Sequence, residues 1–156
     1  MKVMEFLPKK AISADLKGTN KQEILSELLD LLINSGEIEK KHKNKFMELL
    51  LAREALGSTA IGQGIGIPHG KSDNISKLVA AFGLSRSGVN FDSLDGEPVY
   101  LFFLLLAPQD SAGPHLKALA RISRLLKDKY FREKLKAARD EASILKIISQ
   151  EDDRKM

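Results

Sequence analysis

At 156 residues, 43% hydrophobic and 29% charged, the chain is long enough for one full-sized core and has the composition of an ordinary globular domain. It contains no cysteine, which excludes disulfides, a thiolate nucleophile, Cys-ligated zinc and iron–sulfur clusters on this polypeptide. The net charge is only +4, yet residues 117–139 concentrate nine basic side chains against two acidic ones.

No repeat, low-complexity tract or Pro/Gly/Ser linker divides the sequence, so one domain is placed over residues 1–150 and a polar, solvated tail over 151–156. The longest apolar run, residues 99–107, is far short of the roughly 20 residues a membrane-spanning helix needs. The first residues lack the basic-then-apolar order of a secretory signal, so a cytoplasmic protein without membrane insertion is expected.

The first predicted element is a helix over residues 20–33, where Ile24, Leu25, Leu28, Leu29 and Leu32 recur at helical spacing. Asn20 and Glu23 are placed as a capping box, and Gly36 supplies a stop. A second helix is expected over 39–56, burying Phe46, Leu49 and Leu50 and ending at Gly57. Residues 57–70 then interleave five glycines with three isoleucines, a pattern for extended chain whose backbone can be approached closely. Strands follow at 78–84 and 99–106, framing turns at Ser87-Gly88 and Asp95-Gly96. The second strand is so uniformly apolar that helices should cover both its faces. A helix begins near Pro114 with Leu116, Leu119, Ile122, Leu125 and Leu126 on its inner face. Helical patterns close the chain at 130–138 and 141–148. Together these predict an α/β fold, a single-domain sandwich with a mixed β-sheet flanked by helices on both faces.

Two nucleotide-binding readings fail on their spacing. Gly70-Lys71-Ser72 matches the end of a phosphate-binding P-loop, but Ile65 occupies the position of the required first glycine and Pro68 removes a backbone donor. Gly62-Gln63-Gly64-Ile65-Gly66 lacks the third dinucleotide glycine, because position 67 is isoleucine.

Three histidines remain as reactive candidates. His69 sits between Pro68 and Gly70, on a sharply turning backbone of little bulk where a large partner can reach the ring. The motif is compatible with an inert loop histidine and with a nucleophile whose ring nitrogen carries a labile phosphoryl group. His115 lies just inside a helix start, where the dipole disfavours imidazolium and free N–H groups suit a phosphate; an ordinary surface histidine has the same pattern. Both follow apolar segments, and the carboxyl ends of strands are where α/β sheets bind ligands. If the two meet, they form a nucleophile with a neutral hydrogen-bonding partner. Arg53 is either a surface helix residue or a planar fork for phosphate oxygens. His42, among lysines, is read as surface. A metal site is not expected, because no third ligand stands at recognisable spacing from His69 and His115.

The segment Arg53-Glu54-Ala55-Leu56-Gly57-Ser58-Thr59-Ala60-Ile61-Gly62-Gln63-Gly64-Ile65-Gly66-Ile67-Pro68-His69-Gly70-Lys71 resembles the signature of the enzyme IIA domains of the fructose/mannitol/nitrogen class. These belong to the bacterial phosphoenolpyruvate-dependent phosphotransferase system. Residues 91–99 and 115–126 resemble two further blocks in the right order, and the likeness runs from about residue 5 to 150. The family often has Gly and Asn where this chain has Ala60 and Gln63. The resemblance implies a phosphoryl carrier in which His69 accepts phosphate from HPr or its nitrogen-branch counterpart. It implies that His115 bonds the phosphate, that Arg53 organises the site, and that Ser58 and Thr59 contribute donors. No cofactor is implied. The partners implied are an HPr-like carrier and either enzyme IIB or regulatory targets, with no nucleic acid. No IIB, HPr or membrane segment stands within these residues, so the nitrogen-regulatory branch is the reading taken. A sugar-transport IIA subunit is its alternative. The rival from another class is a nucleic-acid-binding module using residues 117–139; the core-spaced leucines there favour a solvated basic face instead.

Overall fold

A computed structural model describes residues 1–155 as a six-stranded mixed sheet with helices on both faces. The elements in chain order are β1 (Ile12–Ser13), α1 (Lys21–Asn34), α2 (Lys43–Ala55), β2 (Ala60–Gly62), β3 (Ile65–Gly66), β4 (His69–Ser72), β5 (Val79–Val89), β6 (Val99–Pro108), α3 (Ala112–Leu126), α4 (Lys129–Ala137) and α5 (Glu141–Arg154). One apolar layer joins α1 and α2 to the sheet through Leu28, Leu32, Phe46, Phe102 and Leu104. The other joins α3, α4 and α5 through Phe82, Phe103, Ile122, Phe131 and Ile148. The fully apolar β6 is therefore sandwiched, as its composition predicts.

The topology around β6 places the candidate site. On one edge β6 runs antiparallel to β5, from Val79 opposite Leu106 to Val89 opposite Val99. On its other edge it pairs in parallel with two short strands in succession, β3 at Leu101 and β4 at Leu105. Pro68 lies between those strands and has no N–H to donate, but its carbonyl accepts the Leu105 N–H at 2.9 Å. The glycine-rich segment thus keeps one register along β6 through Pro68, and His69 falls opposite Leu105.

Local chemistry explains the helix ends. The Asn20 side chain accepts the Glu23 N–H at 2.9 Å, capping α1. Glu23 reaches one residue further back than a capping box requires, taking the N–H and hydroxyl of Thr19 at 2.8 and 3.0 Å. Gly36, at φ +79°, ends the turn that follows.

Five expectations are corrected. The helix over 39–56 is divided into a 3-10 turn at Lys40–His42 and α2, and Leu49 is only partly buried. Ser87-Gly88 is not a turn between strands but a bulge inside β5, with Gly88 at φ +80° under the Tyr100 ring. Leu116 is 66% exposed, because the buried stripe of α3 runs through His115, Ala118, Ile122 and Leu125. Residues 151–154 are the last turn of α5 rather than a solvated tail; Met156 lies outside the described residues. Asp152 there is fully buried because it has partners: its carboxylate accepts the N–H groups of Val3 and Met4 and pairs with Arg121 at 2.8 Å. Fifth, the chain does not turn sharply at His69: His69 and Gly70 open β4 as extended strand, opposite Leu105 and Leu106 of β6.

Candidate functional site

His69 and His115 meet. Their ring centroids are 5.5 Å apart and their planes are inclined at 73°. Sequence spacing offers no hint of this contact across 46 positions; it follows from the parallel pairing of β4 with β6 and the return of the chain into α3. His115 is 6% exposed, so it is no ordinary surface histidine.

The His69 ring is held from behind. Its Nδ1 lies 2.8 Å from the Ile67 carbonyl oxygen. A carbonyl only accepts, so Nδ1 carries the proton and the lone pair of the neutral ring is on Nε2. Gly70 lets α2 approach this strand closely: a Cβ there would stand 2.2 Å from Leu49 Cδ2. Burial pushes the His69 pKa below the usual 6.5; the Ile67 carbonyl acts upward, Arg53 downward and Glu54 upward. His115 is also pushed below 6.5, first by burial and then by His69 and Lys71. Both rings are therefore neutral near pH 7.

His115 Nδ1 is a buried polar atom without a hydrogen-bond partner among the described residues. An unmet acceptor is tolerated more readily than an unmet N–H, so the proton of this ring belongs on Nε2. The first helical N–H to bond back in α3 is that of His115, to the Ser111 carbonyl at 3.0 Å. The preceding amides of Ala112 and Gly113 have no helical acceptor by geometry.

Arg53 stands at the C-terminal end of α2, where its Nη1 donates to the Gly57 carbonyl at 2.8 Å. It closes the α2 terminus while its positive charge bears on His69. Ser58 and Thr59, expected to offer donors to phosphate, have their protons committed within the protein. The Ser58 hydroxyl donates to the Phe91 carbonyl at 2.6 Å and accepts the Ala60 N–H at 3.0 Å. The Thr59 hydroxyl donates to Glu54. In this structure the two hydroxyls tie the loop to Phe91 and Glu54.

Sequence reasoning missed Glu54. It is buried at the end of α2 with Lys21 at 3.7 Å, in phase with Phe46 and Leu50. That phase was the available signal: a carboxylate on an apolar stripe at i+4 and i+8 must find partners inside the fold. His42 lies edge-on to Phe46, with Nε2 3.6 Å from Glu39, away from the histidine pair. No group of three or more His, Asp or Glu side chains suited to a metal occurs among the described residues, and no described helix is long and apolar enough to cross a membrane.

The family model for the phosphoenolpyruvate-dependent sugar phosphotransferase system, EIIA 2, matches residues 5–151. The chain belongs to this EIIA family. Among curated EIIA relatives and their kin, a nitrogen regulatory protein of Bradyrhizobium diazoefficiens is 40% identical over 149 residues, which is 96% of this chain and 95% of that one. The fructose-specific EIIABC component of Bacillus subtilis is 37% identical over 152 residues, 97% of this chain but only 24% of that longer protein. The crystal structure of nitrogen regulatory protein IIA-Ntr from Neisseria meningitidis superposes with a TM-score of 0.83 at 34% identity, covering 92% of this chain and 97% of that one. Ala60 is fully buried, and Gln63, at φ +62°, is tied by its N–H to Asp95 and by its side chain to Arg132.

Proposed function

We propose that this EIIA protein carries a phosphoryl group on His69 Nε2, received from a phosphohistidine of an HPr-type protein. The observation that carries the reading is the neutral histidine pair: Nδ1 of His69 engaged by Ile67, and His115 buried beside it. In the transfer, the Nε2 lone pair attacks phosphorus while the donor's P–N bond breaks and its electron pair returns to the donor ring. The positive charge left on the His69 ring is shared with the Ile67 carbonyl through Nδ1–H. Exchange between two histidine nitrogens is nearly balanced, so what the protein must supply is alignment and charge stabilisation. We assign that role to His115 Nε2–H, the first amides of α3 and the Arg53 guanidinium.

Exposed Leu116, beside His115, and Leu56, beyond the end of α2, give the neighbourhood of these two elements apolar surface for transient docking of a protein donor. We take the acceptor step to serve a nitrogen-regulatory role, supported by the two nitrogen regulatory relatives that match over nearly their whole length. Onward transfer to an enzyme IIB is the transport alternative, supported by the fructose-specific relative.

Incubation with phosphoenolpyruvate, enzyme I and HPr, followed by mass spectrometry, tests the reading. An acid-labile phosphate is expected on His69 and absent in His69→Ala; full labelling of that variant overturns the assignment. His115→Ala should still accept phosphate but exchange it on the order of a hundredfold more slowly, as for loss of one transition-state donor.

A further inference from the structure

We propose that Glu54 is a positioning residue for this transfer, fixing the His69 ring through Thr59 and Ile67. The inference rests on His69 being the phosphoryl acceptor. Its basis is a continuous chain of hydrogen bonds. The Glu54 carboxylate accepts the Thr59 N–H at 3.1 Å and, with its other oxygen, the Thr59 hydroxyl proton. The Thr59 carbonyl accepts the Ile67 N–H at 3.2 Å. The Ile67 carbonyl accepts Nδ1–H of His69 at 2.8 Å. The links run from α2 to the loop before β2, from there to Ile67 between β3 and β4, and from Ile67 to the ring two residues on.

The placement of Glu54 has no sufficient explanation as an ion pair. Its side chain is 2% exposed, and a carboxylate so buried is costly unless well partnered. The nearest cation, Lys21 Nζ, is 3.7 Å away and lies closer to Asp92, at 3.1 Å. Glu54 instead directs both oxygens at one residue, Thr59, whose only link toward the site is its carbonyl. Next to Ile67 stands Pro68, which has no N–H to donate. The Ile67 N–H bond to Thr59 is thus the anchor on the near side of the carbonyl against which the histidine is oriented, with the Leu105 N–H holding the Pro68 carbonyl on the far side. Without it the ring can turn, and the lone pair can move to Nδ1, facing into the protein.

Other charged groups bear on the same pair of rings: Arg53 and Glu54 from α2, His115 from α3, and Lys71 on β4 itself. Charge and position must therefore be separated experimentally, and the choice of variants does so. In Glu54→Gln the amide oxygen can accept the Thr59 N–H while its NH2 donates to the hydroxyl, so position is kept and charge lost. In Glu54→Leu both are lost.

The test reads the His69 tautomer and titration by nitrogen-15 NMR of the unphosphorylated protein, and separately the rate of phosphoryl acceptance from phospho-HPr. Both variants should lower the His69 pKa, because both remove the negative charge. Only Glu54→Leu should lose the single Nδ1–H tautomer, with acceptance slowed on the order of tenfold to a hundredfold. Glu54→Gln should restore tautomer and rate to near wild type. A folded Glu54→Leu protein with an unchanged tautomer overturns the proposal, and so does a Gln variant that fails to rescue. Should Glu54→Leu not fold, Thr59→Val removes one bond of the chain and is expected to give a smaller loss in both readouts; no change in either overturns the proposal. Because the tautomer is read without any phosphoryl donor, failure of wild type to accept phosphate would count against the carrier reading alone.

Discussion

Gly70→Ala is the smallest change that tests how the site is built. A Cβ at this position would lie 2.2 Å from Leu49 Cδ2 and 3.2 Å from Leu49 Cγ. Ordinary contact begins near 3.4 Å, so α2 and β4 must part by about 1 Å or Leu49 must leave its rotamer. Overpacking of this kind costs about 1–3 kcal/mol, and Leu49, being only partly buried, can swing outward, which places the expectation near the lower end. Separation of α2 from β4 would also move His69 relative to Arg53 and Glu54, so phosphoryl acceptance should slow by more than the loss of stability explains. Urea denaturation of Gly70→Ala, Leu49→Ala and the double variant completes a cycle. Leu49→Ala removes the clashing atoms, so the double variant should be about 1 kcal/mol more stable than the sum of the two single effects predicts. Additivity within about 0.5 kcal/mol, or a neutral Gly70→Ala, would refute the claim that this glycine is required by helix packing.

Two further expectations concern pH and the far end of the molecule. Both site histidines have pKa values lowered by burial, so the folded state binds fewer protons than the unfolded state once the pH falls below about 6.5. Acceptance rate should fall toward acid as Nε2 of His69 is protonated, with a midpoint below pH 6.5; a midpoint above 6.5 would contradict burial as the dominant influence. The same sign makes these two groups subtract stability as pH drops through that range, a loss that His69→Ala and His115→Ala should lessen in pH-dependent urea titrations. Asp152→Ala leaves Arg121, 9% exposed, without its buried partner and frees the N–H groups of Val3 and Met4. About 3–5 kcal/mol should be lost, measured by the urea midpoint, with acceptance by the remaining folded protein nearly unchanged.

The sequence by itself determined the elements whose signals are local. The leucine spacing and Asn20 cap of α1 and the unbroken apolar run of β6 each depend on near neighbours, and each is found where the pattern puts it. The three ordered motif blocks also carried the family, because their residue order survives without knowledge of contacts. Tertiary structure decided what depends on partners distant in the chain. The sequence pattern raised a meeting of His69 with His115 only as a condition; the register of β4 on β6 brought the rings to 5.5 Å. Leu116 and His115 exchanged their expected places because one residue of helical rotation decides which of two neighbours faces the core, and packing sets that rotation. Asp152 fell in a stretch read as solvated tail, and Glu54 carried no reading, until their partners came into view, 31 residues away for Arg121 and five for Thr59. A buried carboxylate looks the same in sequence as an exposed one; only the groups folded around it determine whether burial is tolerated.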